Sequence, residues 1–294
     1  SDNNIRGGGY GKKKDSNMKI KLVSDSACNF FEIPGADFTS VPMKIIAGDK
    51  TFVDDPELDV KGMQDYLRKF RGKSNTGHPG FREWIKAFGD ADAVFGVTVT
   101  GKLSGSYHAA LLAGEEYMEA HPGRNVFILD SAGTGPEMEL VLEKFKELYE
   151  QGYSFEEVKN ETQKYLETTR CWWSLENVHN FVNTGRLNAA AAFAIKILGI
   201  NIVGTTKVGE LVPTYKCRGT SRSVKKIYEC MLNDGYAGGK VRISHSFNPE
   251  GSKELAGMIR KDYPQADVQE RLNRGLCGYY VEKGGLIVGF ETFR

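Results

Sequence analysis

Four short polar stretches carry the residue types that could bind or transform a ligand. They are Ser24-Asp25-Ser26, Ser74-Asn75-Thr76-Gly77-His78-Pro79, Leu103-Ser104-Gly105-Ser106-Tyr107-His108 and Asp130-Ser131. Hydroxyls beside glycine amides suit a small anion, either carboxylate or phosphate, because O–H and N–H groups at a helix start donate to it directly. Helix N-caps require the same residue types, so Asp25, Thr76 and Ser104 each have a structural role at least as natural as a binding one. A nucleophilic reading is also open. Ser104, with His108 or His78 as base and Asp25 or Asp130 as acid, would compose a hydrolase or acyltransferase triad. It ranks below binding, since His108 lies four residues after Ser104 in a stretch turning helical and would point along the helix.

Other chemistries lack their signatures. No GxGxxG follows the first strand, and there is no GxxxxGK[ST] or GxSxG, which argues against dinucleotide, P-loop and nucleophile-elbow sites. The five cysteines, Cys28, Cys171, Cys217, Cys230 and Cys277, form no CxxC pair. None stands beside a histidine at zinc-ligand spacing, so no metal and no cofactor is expected, and each reads as a small buried hydrophobe. With 39 Lys+Arg against 38 Asp+Glu the net charge is +1, which leaves no footprint for nucleic acid. No apolar run reaches the roughly 20 residues of a membrane-spanning helix. With no signal-like apolar start, the expected location is the cytoplasm.

These loops need a scaffold, and the chain alternates accordingly. Its 294 residues suggest two domains. Residues 1–17, with Gly7-Gly8-Gly9 and Lys12-Lys13-Lys14, read as a disordered tail or expression remnant, with Met18 as the natural start. Strands are expected at Ile20–Val23, Val41–Ile46, Ala93–Val99 and Asn125–Leu129, and helices at Lys61–Phe70, Gly80–Phe88, Ser106–Ala120 and Glu137–Gln151. That is an N-terminal α/β domain over 18–160 with a largely parallel sheet. Over 161–294 a mixed α/β domain is expected. A helix at Phe155–Thr168 spans the boundary, and further helices fall at Ala189–Leu198, Ser221–Asn233 and Gly251–Asp262. Its strands fall at Ile200–Val203, Leu211–Tyr215, Lys240–Ser244, Val268–Arg271, Leu276–Val281 and Leu286–Phe290, with a hairpin over Val203–Val212. Trp172-Trp173 are expected at the domain interface or under a ligand pocket. The Ala189-Ala190-Ala191-Ala192 run permits close packing or leaves room for a ligand.

From Lys19 to Phe290 the chain resembles the DegV family of bacterial lipid-binding proteins, which includes the fatty-acid-binding subunits of fatty acid kinases. The resemblance rests on Val23-Ser24-Asp25-Ser26, Thr76-Gly77-His78-Pro79, Leu103-Ser104-Gly105-Ser106-Tyr107, Leu129-Asp130-Ser131 and Asn183-Thr184-Gly185-Arg186-Leu187. It implies a long-chain, palmitate-like fatty acid between the two domains, its carboxylate on Thr76 and Ser104 with the Gly77 and Gly105 amides helping. Ser24, Asp25, Ser26, His78 and Ser106 become candidates for the pocket or its rim. It also implies a non-catalytic protein that presents its lipid to a separate ATP-binding kinase subunit, with Arg186 facing that partner or the transferred phosphate, or else in a surface or interdomain ion pair. Three departures matter. Thr-Ser-Gln-Pro-Ser is replaced by Thr76-Gly77-His78-Pro79-Gly80, and Gly-Gly-Arg-Ile by Thr184-Gly185-Arg186-Leu187. Gly278-Tyr279-Tyr280 stands where a Gly-x-His is usual. Tyr280 can donate to a carboxylate there but cannot carry a proton near neutral pH. A small-phosphate-ligand enzyme akin to dihydroxyacetone kinases is a further reading.

Overall fold

The computed structural model describes residues 18–187 and 199–293. The expected tail, the Ala189–Leu198 helix and the alanine run lie outside the described residues.

Strand β1 (Ile20–Asp25) pairs in parallel with β2 (Phe38–Val41) and β6 (Ala93–Thr98), and β6 pairs in parallel with β7 (Asn125–Asp130). Alternate residues of β1 face opposite ways, as strand geometry requires. Val23 packs under helices α2 (Phe81–Phe88) and α3 (Ser106–Ala120), whereas Leu22 packs toward α4 (Pro136–Glu150). Helix α5 (Phe155–Glu167) lies beside α4 and opens with a capping box from Ser154 and Glu157.

A second, mixed sheet is built from β8 (Thr169–Leu175), β9 (Ile200–Lys207), β10 (Glu210–Arg218), β11 (Val241–His245), β12 (Val268–Leu272) and β13 (Leu286–Glu291), in the order β10-β9-β8-β13-β11-β12. The expected hairpin is present. Val208 and Gly209 turn it at φ 50° and 80°, the paired positive values of a two-residue turn. Trp172 and Trp173 split between the faces of this sheet. Trp172 joins the core under α7 (Thr220–Asn233) and α8 (Pro249–Asp262), and Trp173 joins the core of α4.

The α4 layer therefore lies between the two α/β units and contacts both sheets. Its attachment to the second sheet includes a charge ladder at one-turn spacing. Glu139 meets Arg271 at 2.8 Å, Glu143 meets the buried Arg242 at 2.7 Å, and Glu147 meets Lys240.

Three sequence expectations are corrected. The strand expected over Val41–Ile46 is two strands in different sheets: β2 ends at Val41 and β3 spans Lys44–Ala47. Pro42, which has no N–H to give a ladder, stands at the crossing. Ser74–Gly77 is not a loop but β5, which with β3 and β4 (Lys50–Val53) forms a small antiparallel sheet. Leu276–Val281 is not a strand but lies in a helix over Gly275–Val281, numbered α9 below. Its Tyr and Val content favours a strand by propensity, and tertiary capping overrides that preference. The remaining described helices are α1 (Val60–Lys69) and the short α6 (His179–Asn183). No described helix is long and apolar enough to cross a membrane.

Candidate functional site

The site begins with β5, whose side chains alternate. Ser74 and Thr76 project to the same side, and α9 presents two consecutive tyrosines to meet them. The Ser74 hydroxyl lies 2.8 Å from the Tyr279 hydroxyl, and the Thr76 hydroxyl lies 2.8 Å from that of Tyr280. Each bond uses one of two available protons, so the Thr76–Tyr280 pair retains a donor for a third group.

Helix α9 is held in place by Asp54. Its carboxylate accepts from the Gly275 and Leu276 amides at 2.7 and 2.8 Å, and from the Ser26 hydroxyl at 2.8 Å. Burial raises the Asp54 carboxyl above its ordinary range, and these donors pull it back. An anion across exposed helix amides is favourable to the helix. The approach is close, since a Cβ on Gly275 would meet the Asp54 carboxyl at 2.6 Å.

Thr76, Gly77, His78, Ser104, Arg186 and Tyr280 gather on one part of a cavity wall. Elsewhere its wall is largely apolar, including Met43, Val99, Leu103, Trp173, Leu175, Phe181, Leu211, Leu276, Val281 and Ile287, with Thr134 and Cys277 beside them. Both α/β units contribute to this lining. Ser104 sits just before α3, where its oxygen accepts from the Ser106 amide at 3.2 Å and leaves its own proton to donate. The start of this 15-residue helix adds favourable potential for an anion. Arg186 lies 5.7 Å from the Tyr280 ring centre and donates from Nε to the Leu103 carbonyl at 3.1 Å. The Phe181 ring covers Tyr280 at 4.7 Å.

His78 donates from Nδ1 to the Pro79 carbonyl at 2.9 Å, which leaves Nε2 directed against Gly105. A Cβ at Gly105 would lie 2.5 Å from that nitrogen, so the glycine makes the approach feasible. Gly105 itself is outside the cavity lining.

Ser24, Asp25, Ser26 and Ser106, expected at the pocket or its rim, are fully buried outside the cavity lining and bonded to one another, to Asp54 and to the backbone. The physical reason is the demand of the Asp25 carboxylate. It accepts from the Ala27 amide at 3.2 Å, the Val99 amide at 3.0 Å and the Ser106 hydroxyl at 2.6 Å. Burial pushes its pKa up to about 6. Ser26 serves Asp54, and Ser24 donates to the Asp25 carbonyl.

No hydrogen bond joins Ser104 to a histidine among the described residues. Asp130 accepts from the Gly101 and Ala132 amides, and His108 is exposed. The triad geometry considered above is thus not assembled here. All five cysteines are buried and free, and burial pushes the Cys28 and Cys277 thiols up to about 12. A thiol so placed is unreactive.

Sequence reasoning missed Asp54 and gave Ser74 and Tyr279 no role of their own, though the three position the polar end. Asp54 lies in Val53-Asp54-Asp55-Pro56, where an acid after a short strand was the available signal.

A family model described as "Uncharacterised protein, DegV family" matches residues 19–292. A DegV domain-containing protein of Streptococcus pneumoniae (strain ATCC BAA-255 / R6) is 36% identical over 279 residues, spanning 93% of this chain and 99% of its own. Among solved structures, a DegV family protein from Eubacterium eligens loaded with heptadecanoic acid matches with a TM-score of 0.91 at 39% identity, over 93% of this chain and 100% of that one. The Streptococcus pneumoniae Fatty Acid Kinase (Fak) B3 protein loaded with linoleic acid matches with a TM-score of 0.92 at 36% identity, over 94% of this chain and 100% of that one. The chain belongs to the DegV family.

Proposed function

We propose that this protein binds a long-chain fatty acid in the cavity between its two α/β units, taken as residues 18–160 and 161–294. The observation that carries this reading is the make-up of the cavity wall: donors clustered around Thr76, Tyr280, Arg186 and Ser104, in a lining that is otherwise largely apolar. The carboxylate is held by the Thr76 and Ser104 hydroxyls, with Tyr280 and the Gly77 amide beside them. Arg186 supplies positive charge there, which strengthens each hydrogen bond to an anion. The tail lies along Trp173, Leu175, Leu211 and Ile287. Each buried methylene contributes about 0.8 kcal/mol, so a palmitate-like chain outweighs the cost of ordering it. The fatty acids held by the Eubacterium eligens and Streptococcus pneumoniae relatives support the same ligand class here.

The protein is then a carrier that presents its lipid to a separate ATP-dependent kinase subunit, a reading supported by the kinase name of the Streptococcus pneumoniae relative. Arg186 is the residue we place toward that partner, at the polar end of the cavity.

Solvent extraction of the purified protein followed by mass spectrometry tests the binding. Recovery of about one fatty acid per chain is expected. A chain that remains empty after incubation with palmitate and oleate, while hydrolysing acyl esters through Ser104, would overturn it in favour of the hydrolase.

A further inference from the structure

Helix α9 has a second face, and that face borders a different cavity. This cavity, about 370 Å³, lies between α1, α6 and the C-terminal end of α9. Two of its backbone carbonyls are already answered. Gln64 donates to the Gly278 carbonyl at 3.1 Å, and Asn180 donates to the Tyr279 carbonyl at 2.8 Å. Its carboxylates are committed too. Asp65 pairs with Arg68 at 3.0 Å, and Glu282 accepts from the Asn180 amide at 2.8 Å. Two cations remain. Arg71, in the α1–β5 loop, and Lys283, just after α9, line the cavity and have no ion-pair or hydrogen-bond partner among the described residues. Leu67, Phe70 and Tyr279 supply apolar wall.

We propose that this cavity is a second ligand site, distinct from the acyl cavity, and that it takes a small organic dianion, a phosphomonoester or dicarboxylate, held by Arg71 and Lys283. The volume suits a small metabolite. A guanidinium presents a planar fork to a carboxylate or phosphate, and an ammonium adds a mobile point charge. Tyr279 borders this cavity and Tyr280 the other, with their rings 4.9 Å apart. This cavity needs no fatty acid to bind its ligand, so its occupancy is independent of the acyl cavity.

Calorimetric titration of the full chain with inorganic phosphate, phenyl phosphate and succinate, with glycerol as a neutral control, tests the site. Saturable binding of at least one dianion is expected. It should weaken at least tenfold in Arg71→Gln/Lys283→Gln and stay unchanged in Thr76→Ala. Both cations are exposed, so the double variant should keep the parent thermal midpoint. If it does not, the Lys283→Gln single variant, with at least a threefold loss expected, replaces it. Preference for phenyl phosphate or for succinate supports the site and identifies the anionic group. No saturable binding by any of the three, or binding that the variants leave intact, overturns the proposal.

Discussion

Thr76 and Tyr280, 204 residues apart in the chain, share a hydroxyl hydrogen bond of 2.8 Å at the polar end of the cavity. The bond ties the small antiparallel sheet to α9, so the proposed head-group site depends on the register of two distant segments. The two hydroxyls together offer one proton to a ligand, and Ser104 offers another.

Removing both anchoring hydroxyls, as Thr76→Ala with Ser104→Ala, should weaken fatty-acid retention at least tenfold, since two hydrogen bonds to an anion are lost. Tyr280→Phe should have a smaller effect, about threefold to tenfold. It keeps the ring against Phe181 and Arg186 and frees the Thr76 proton for the ligand. Competition with a fluorescent fatty acid measures both, and equal losses would refute the division of roles.

Asp54→Ala should destabilise the fold by about 3 kcal/mol, because the Gly275 and Leu276 amides and the Ser26 hydroxyl all lose their acceptor inside the protein. Urea unfolding measures the loss. Retention should fall as well, since α9 carries Tyr280. A destabilised variant with unchanged retention would show that the head group does not rely on α9.

The readable parts of the sequence were those whose physics is local. Leu22, Val23, Val94 and Phe95 stand in short apolar runs, and Lys61–Phe70 has helical spacing, so the two larger sheets and most helices could be expected. Thr76 and Ser104 were singled out by the family resemblance, because a hydroxyl before a helix suits a cap as well as an anion. The small sheet was hidden because Ser74 and Thr76 look like loop residues until Tyr279 and Tyr280 are brought against them. Asp54 was hidden for the same reason, since its partners Gly275 and Leu276 are more than 220 residues away. The α9 helix was misread because its cap comes from that distant acid, not from its own sequence.

Stability should rise as pH falls from 8 to about 5.5. Burial raises Asp25 to about 6 and Glu137, Glu139 and Glu282 to about 7, against ordinary values of 3.8 and 4.5. Each therefore holds its proton more tightly in the folded chain than in the unfolded one, so stability is lost as pH rises from about 4 to about 7. For Asp25 alone the displacement corresponds to about 3 kcal/mol. Below about 4 the sign reverses. Burial would raise Asp267 and Glu147, but Arg242 and Lys240 hold them below the ordinary range, and their protonation removes stability. Urea midpoints at pH 4, 5.5 and 8 measure this, and a highest midpoint at pH 8 would contradict it.

Gly204→Ala should shorten the fatty acid that the cavity accepts. Gly204 lies opposite Trp173 across the β8–β9 ladder. A Cβ there would lie 2.2 Å from the Trp173 ring and 2.6 Å from the Val212 carbonyl oxygen. The carbonyl belongs to the β9–β10 hairpin and cannot retreat without breaking its ladder, so the indole is the group that moves. Trp173 lines the cavity, and displacement toward it removes volume from the apolar end while leaving Thr76 and Ser104 untouched. Overpacking of this kind costs about 1–3 kcal/mol of stability. Affinity for sixteen- and eighteen-carbon acids should therefore fall more than affinity for ten- and twelve-carbon acids. A uniform loss across chain lengths would place the ligand tail away from Trp173.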